Sequence, residues 1–318
     1  MKQHTFIIKI SKYCSVLCIL LFLFPSCSID DDRRDCPDGL WATFKYKYIS
    51  QQRNGTVSQM DLFVFDDQGI LYSHEIEYEI PIDGTFRKRL WLNPGNYTFV
   101  AWTGLSEEDT YSCGDMTIGK TRLDELQLKL AKINNNKVDY KPGLLLHGFV
   151  ADYPVRLKRN DEVVIPIVQD NNLVKVIVSQ KGKAISEYSF KSLELNISDN
   201  NSTYFFDNKI DESASTFQYT PFYNVKEENL IDCDFHVLKL QERENGPVVT
   251  INNVEGDQII FKDDLISLIR KVNEIYGSQI DLERDTFFKI EIVLNQTSAI
   301  VSIAINGWVI VNQGSVVG

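Results

Sequence analysis

The sequence is short of the residues from which most active sites are built. Four histidines occur in 318 residues, and no pair has the H-E-x-x-H spacing that sets two zinc ligands on one helix face. Six cysteines occur without a C-x-x-C pair, which argues against a zinc ribbon or a thioredoxin-like redox site. The chain is read as having no phosphate loop, no dinucleotide fingerprint and no nucleophile elbow. Acid pairs such as Glu107-Glu108 and Glu227-Glu228 fall in polar loops. They read as solvated surface, not as carboxylates facing each other across a sugar-cleaving cleft. Basic residues are in deficit: 33 Lys and Arg against 44 Asp and Glu leave a net charge of −11. Neither nucleic acid nor an anionic lipid surface is therefore expected as a partner through surface charge. No apolar run reaches the ~20 residues of a comfortable membrane span. No catalytic activity, cofactor or metal is expected.

The longest apolar run, Cys14 to Phe24, follows Lys2, Lys9 and Lys12 and leads into Pro25-Ser26-Cys27. A positive start, a short apolar middle and small residues after it are the layout of a secretory signal peptide, here residues 1–26. The stretch before Cys27 resembles a bacterial lipobox, with Phe24 where leucine is usual. That resemblance implies cleavage before Cys27 and fatty acylation of it, palmitate included. A soluble secreted protein with an incidental Cys27 is the alternative. Each buried methylene contributes ~0.8 kcal/mol, so several acyl chains hold where one holds only marginally. Residues 27–37 read as an acidic tether. Within it Ser28-Ile29-Asp30-Asp31-Asp32 resembles the lipoprotein export signal of Bacteroidetes, which implies the outer face of the outer membrane. A plain solvated leash is the other reading of this charge run.

With the signal removed, the chain is long enough for two domains. At 43% hydrophobic and 11% aromatic it can bury real cores. Cys14 and Cys18 leave with the signal and Cys27 is assigned to lipid, so Cys36, Cys113 and Cys233 remain, an odd number in an oxidising compartment. Cys36 (Asp-Cys-Pro) and Cys113 (Ser-Cys-Gly) sit at turn-like sites flanking one domain and are the candidate disulfide. Three free thiols are the alternative.

Past the tether the dominant pattern has period two. Phe44, Tyr46 and Tyr48 alternate with Thr43, Lys45 and Lys47, and Leu126, Leu128 and Leu130 alternate with polar residues. Both read as half-buried strands. Asp66-Asp67-Gln68-Gly69 and Asn93-Pro94-Gly95-Asn96 are turns, the first more simply a turn than a calcium loop. "EVVIPIV" carries Pro166 and is placed at an edge or end of a sheet. The polar break "QDNN" at residues 169–172 marks the domain boundary, giving domains 38–170 and 171–318. The second half opens on Val174, Val176 and Val178 and closes on two extended runs joined by Asn306-Gly307, the strongest short hairpin signal. One segment breaks the strand pattern. Leu265, Leu268, Ile269, Val272, Ile275 and Tyr276 recur at helical spacing, with Asp263 or Asp264 to cap the start and Gly277 to end it. The expected fold is mainly β: two tandem antiparallel β-sandwich domains with one amphipathic helix in the second. Trp41, Trp91, Trp102 and Trp308 lie inside strand patterns, where core packing is a better reading than a sugar-stacking platform.

Taken in order, "CSIDDDRRDCPDGLWATFKYKY", "DLFVFDDQGIL", "LNPGNYTFVAWTGL", "LLLHGF", "VKVIVS" and "INGWVIVNQ" resemble the fimbrillin-associated anchor family of Bacteroidetes, the lipoprotein subunits of type V fimbriae. The resemblance implies transthyretin-like sandwiches, a place at the cell outer membrane and in the fimbrium, and a shaft subunit as partner. It also implies assembly by strand exchange. Shaft subunits lose a first strand after an arginine and receive another subunit's segment in its place. An anchor that keeps its first strand, near Leu40 to Tyr48, keeps both its groove filled and its lipid attached. Cleavage at Arg33-Arg34 would sever body from lipid and is not expected. "NGWVIVNQGSVVG" is the candidate segment for the joint, or else simply the last strand of its own sheet. A tip adhesin or a surface glycan-binding lipoprotein is the alternative function.

Overall fold

The computed structural model describes residues 39–47, 55–105, 110–130, 133–156, 161–181 and 190–312. The signal peptide, the tether, Cys27 and Cys36 lie outside the described residues. From Gly39 onward the chain forms one compact unit. The strands of its first half are β1 (Leu40–Tyr46), β2 (Thr56–Phe65), β3 (Leu71–Pro81), β4 (Arg87–Leu90), β5 (Gly95–Thr103), β6 (Tyr111–Ser112), β7 (Gln127–Leu130), β8 (Lys137–Val138), β9 (Leu146–Val155) and β10 (Asp161–Gln169). The second half holds β11 (Asn171–Gln180), β12 (Leu193–Asp199), β13 (Thr203–Phe205), β14 (Phe217–Tyr219), β15 (Phe222–Lys226), β16 (Leu230–Leu238), β17 (Val248–Asn253) and β18 (Gln258–Asp264). The helix α1 (Leu265–Tyr276) follows, then β19 (Phe287–Leu294), β20 (Ile300–Ile305) and β21 (Trp308–Asn312). The fold is mainly β, with one α-helix among the described residues.

Two large sheets each draw on one half of the chain: β3-β2-β5-β9-β10-β1-β4 and β15-β16-β11-β19-β20-β21. Two smaller sheets, β18-β17-β12-β14-β8 and β13-β7-β6, cross the expected boundary, since β8 joins second-half strands and β13 joins first-half ones. Pairing is antiparallel except at β1–β10, β11–β19 and β8–β14. The opening strand of each half thus lies parallel to a strand from late in that half.

The cores follow from the strand patterns. One is enclosed by the first large sheet and includes Leu40, Phe44, Leu62, Phe99 and Ile165. The other runs from the back of that sheet (Phe63, Phe65, Val100, Trp102) into the second half (Val174, Val176, Ile231, Phe288, Leu268). β2 is therefore buried on both faces from Met60 to Phe65, which explains why "MDLFVF" is almost wholly apolar instead of alternating. The turns behave as their residues require. Asp66 Oδ1 accepts the amides of Gln68 (3.0 Å) and Ile70 (2.8 Å), and Gly69 supplies a φ of 72°. Asn306 and Gly307 take φ of 49° and 85°, the left-handed pair of a two-residue hairpin. Asp264 caps α1 by accepting the Ser267 amide at 2.6 Å, and Gly277 ends the helix at φ 80°.

β10 departs from expectation. It is an interior strand, between β9 and β1. Its ladder to β1 runs from Leu40↔Asp161 to Tyr46↔Ile167, but the ladder to β9 begins only at Ile167↔Gly148. The Ile167 carbonyl accepts from Lys47 on the β1 side, so the neighbouring Pro166 nitrogen turns toward β9, where no ladder partner needs an N–H.

Gly148 is where β9 lies against this stretch of β10. A Cβ there would stand 2.3 Å from Ile167 Cδ1, 2.7 Å from Ile165 Cγ2 and 3.1 Å from the Pro166 carbonyl. Gly148→Ala should destabilise the fold by about 1–3 kcal/mol through overpacking. Urea unfolding checks this, with a lowered midpoint at unchanged slope as the expected result.

Candidate functional site

For a chain whose expected work is mechanical, the relevant sites are sheet edges and the places where a strand can be added or lost. β1 is the first. Leu40, Ala42 and Phe44 point inward, each at most 1% exposed, and Phe44 stacks on Phe86 at 5.6 Å between ring centroids. The side chains of Leu40 and Phe44 together bring about 3–6 kcal/mol of burial. β1 also holds β4, through Leu40↔Leu90 to Thr43↔Arg87, and among the described residues β4 pairs with no other strand. The groove between β10 and β4 is thus filled by the chain's own first strand. Tyr46 ends it half-buried, its hydroxyl pushed up to about 12 by burial and then by Asp83.

The second site is β21. It pairs antiparallel with β20, Ile305↔Trp308 to Ser302↔Asn312, and stands at the end of its sheet. Within the described residues the C-terminal segment is the last strand of its own sheet; residues 313–318 lie outside them. α1 flanks it. The Tyr276 ring lies 4.9 Å from Trp308, and the Tyr276 hydroxyl donates to the Val309 carbonyl at 2.7 Å. Ile275, Tyr276 and Val309 are exposed, so an apolar patch borders the edge.

A third feature is buried at the junction. Asp170 is the single residue between β10 and β11. It is fully buried, its Oδ1 accepts from the Asn208 amide at 2.8 Å, and its backbone bonds to Leu145 and Lys239. Lys239, also buried, donates from Nζ to the carbonyls of Gln169 (3.1 Å) and Glu283 (2.9 Å). A cavity of about 430 Å³ adjoins, lined by Val168, Asn208, Lys239, Gln241, Leu282 and Glu283. Burial pushes the Asp170 carboxyl up to about 7 and the Lys239 ammonium down. Nearby, His147 is held down at about 4 by burial; its Nε2 is 2.9 Å from the Phe206 carbonyl.

Comparison with known proteins places these features. The family model of the fimbrillin-A associated anchor proteins Mfa1 and Mfa2 matches residues 33–314. The chain belongs to this anchor family. Among solved structures, the fimbrial anchor protein Mfa2 from Porphyromonas gingivalis superposes with a TM-score of 0.72 at 21% identity, over 87% of this chain and 100% of that one. A candidate polysaccharide-binding protein from Bacteroides thetaiotaomicron gives a TM-score of 0.72 at 20% identity, over 85% and 96% of the two chains. A candidate adhesin from the same species gives 0.68 at 22% identity, over 86% and 97%. At these identities the likeness is one of fold. A search of curated proteins returned no match.

In this anchor-family member the four tryptophans part company. Trp102 is in the core and Trp308 is half-buried against α1, but Trp91 is 67% exposed and Trp41 lies on the outer face of β1. Core packing thus fails for Trp91, which follows β4 on its outward face. Gly114-Asp-Met-Thr-Ile-Gly119-Lys120-Thr121 carries the letter pattern of a phosphate loop, which the sequence reading overlooked. Its setting is wrong for one. It follows the two-residue β6, the Thr121 hydroxyl accepts the Thr117 amide at 2.8 Å, and only a 3-10 turn at Leu123–Glu125 comes after, so no helix N-terminus faces a phosphate. Cys113 is half-buried and has no disulfide partner among the described residues, where its candidate partner Cys36 does not fall; as a thiol it is pushed up to about 11, chiefly by burial.

Asp170 and His147 give stability opposite slopes with pH. Asp170 binds its proton more tightly folded (about 7) than at its ordinary 3.8, so its contribution improves as pH falls through 7 toward 4. His147 binds more weakly folded (about 4) than at its ordinary 6.5, so its contribution is lost as pH falls through 6.5 toward 4. Asp170→Asn should abolish the first slope and His147→Gln the second, in thermal unfolding followed from pH 4 to 8.

Proposed function

We infer that this anchor-family protein is an outer-membrane lipoprotein. Acyl chains on Cys27 hold it to the membrane, and it terminates a fimbria by strand-mediated contact with the first shaft subunit. The observation that supports this reading is the seating of β1, which an anchor is expected to keep. With Leu40, Ala42 and Phe44 seated in the core, the chain has no vacant groove there to receive a neighbour. Such a subunit ends a polymer instead of continuing it. The contact it offers is then an edge, and β21 with its apolar border of Ile275, Tyr276 and Val309 supports that assignment. The thirteen Cα steps from Cys27 to Leu40 reach at most roughly 45 Å, so a lipidated Cys27 would keep the body close to the membrane. Cys36–Cys113 pairing remains part of this proposal, with non-reducing peptide mapping as its check.

Cys27→Ala should move the protein from the membrane fraction to the medium and leave fimbriae shed; retention in the membrane would defeat the lipid assignment. Arg33→Ala with Arg34→Ala should leave surface fimbriae unchanged, since no cut is needed there; loss of assembly would reverse that view. The second reading, a tip adhesin or surface glycan-binding lipoprotein, draws on the exposed Trp91 and on structural likeness to the candidate polysaccharide-binding protein and adhesin. Gene deletion separates the two: detached fimbriae indicate an anchor, attached fimbriae without adhesion a tip.

A further inference from the structure

The segment that follows β16 forms one wall of the cavity beside Asp170, and three consecutive residues of it are pinned by three different elements. The Leu240 amide donates to Asn172 Oδ1 of β11 at 2.7 Å. Gln241 Nε2 donates to the carbonyl of Asn208, in the turn after β13, at 2.9 Å. Glu242 accepts from Arg270 Nε of α1 at 2.9 Å. A second wall is Leu282-Glu283, held by a turn in which Asp281 Oδ1 accepts the Glu283 amide at 2.9 Å. Hydrogen bonds thus frame a space of about 430 Å³, within the ~300–1,000 Å³ of small-molecule sites. The groups around it are mixed. Val168, Leu240 and Leu282 are apolar. Lys239 uses two N–H groups on the carbonyls of Gln169 and Glu283, and an ammonium has three. Asn208 Nδ2 is held by Asp170, while its buried Oδ1 carries no hydrogen bond among the described residues. An orphaned acceptor beside a cavity calls for a donor from outside the chain. The exposed Glu283 carboxylate stands at the mouth as a further acceptor.

We propose that this cavity binds the end of a neutral carbohydrate chain, one or two hexopyranose units. The apolar C–H face of a ring lies on Leu240 and Leu282, and its hydroxyls meet Lys239, Asn208 and Glu283. Charge selects this occupant. Lys239 and Arg270 balance Glu242 and Glu283, so an ion of either sign finds no net match. A uronic acid or a phosphate would meet the two glutamates, and an amine would meet Lys239. A hydroxyl accepts from the ammonium and donates to the amide oxygen or the carboxylate, so one kind of group answers every polar atom there. A purely apolar ligand would leave the Lys239 proton and the Asn208 oxygen unpaired. The inference deepens the glycan-binding reading above and rests on it; it uses neither Cys27 nor β21.

The test titrates the purified full chain with glucose, galactose, mannose, N-acetylglucosamine, maltose, lactose and cellobiose, followed by saturation-transfer NMR. At least one should bind, with an affinity indifferent to added salt because the ligand is neutral. Glu283→Gln removes the carboxylate but keeps the backbone carbonyl that Lys239 uses; it should weaken binding by about tenfold. Leu282→Trp fills the cavity and should abolish binding. Glu283 is solvent-exposed, so Glu283→Gln should unfold at the wild-type temperature, which separates a binding role from a structural one. Sugar binding that ignores both substitutions would overturn the cavity assignment and leave the glycan-binding reading standing. Binding of none of these sugars would overturn both. Preference for galacturonate or for free leucine over every neutral sugar would also overturn the proposal, since the site would then serve an anion or a zwitterion.

Discussion

The seating of β1 is the constraint on which the first half depends. It lies parallel to β10 and antiparallel to β4 and closes a seven-stranded sheet. Its inward residues complete one core, and its outward Trp41 organises the arginines of β4. Among the described residues β4 has no other strand partner, so loss of β1 would release β4. The strand also continues directly from the segment that bears Cys27. One seven-residue element therefore couples core and edge.

The two halves are not stacked as independent bodies on a thin linker. β2 and β5 present one face to each core, and β8 and β13 each pair across the boundary. The connector itself is one buried aspartate, tied through its backbone to Leu145 on one side and Lys239 on the other. A buried carboxylate near a buried ammonium is costly in desolvation and gives little net stability, but leaving either group alone costs more. Such a pair at the connector fixes geometry between the strands that meet there.

Much of this was legible in the sequence because local rules and tertiary context agree. Asn306-Gly307, Asp66 to Gly69 and the Asp264-capped helix obey short-range chemistry that nothing overrides. The misses have physical causes. Pro166 argued for an edge, but proline is excluded only from positions where a ladder needs its N–H, and β9 begins one residue too late to need it. Trp91 looked like core because it continues a strand pattern, yet β4 turns it to the side opposite Leu90 and Leu92, which are buried. Gly114 to Thr121 shows the converse: letters that match a phosphate loop without the strand and helix that give them meaning. The mixing of halves through β8 and β13 had no sequence signal, because two- and three-residue strands carry no readable period.

The two sheet edges differ in how open they are to a further strand. β4 is four residues long, carries charge on both faces, and its inward Lys88 reaches across to Glu75 and Glu77 of β3, the strand at the opposite end of the same sheet. Glu77 is the first cause of the upward shift of Lys88, so the cation is well held and the gap between the two edges is closed by charge instead of left open for a strand. Short length and charged side chains are the standard defences of an edge against unwanted pairing. β21 is nearly as short but carries no charged side chain: it is "WVIVN", with a hydrophobic border and the Val309 carbonyl taken by Tyr276. Strand addition at β4 would have to break the Lys88 bridge. At β21 it would extend a ladder and cover Val309. The asymmetry makes β21 the less defended of the two edges.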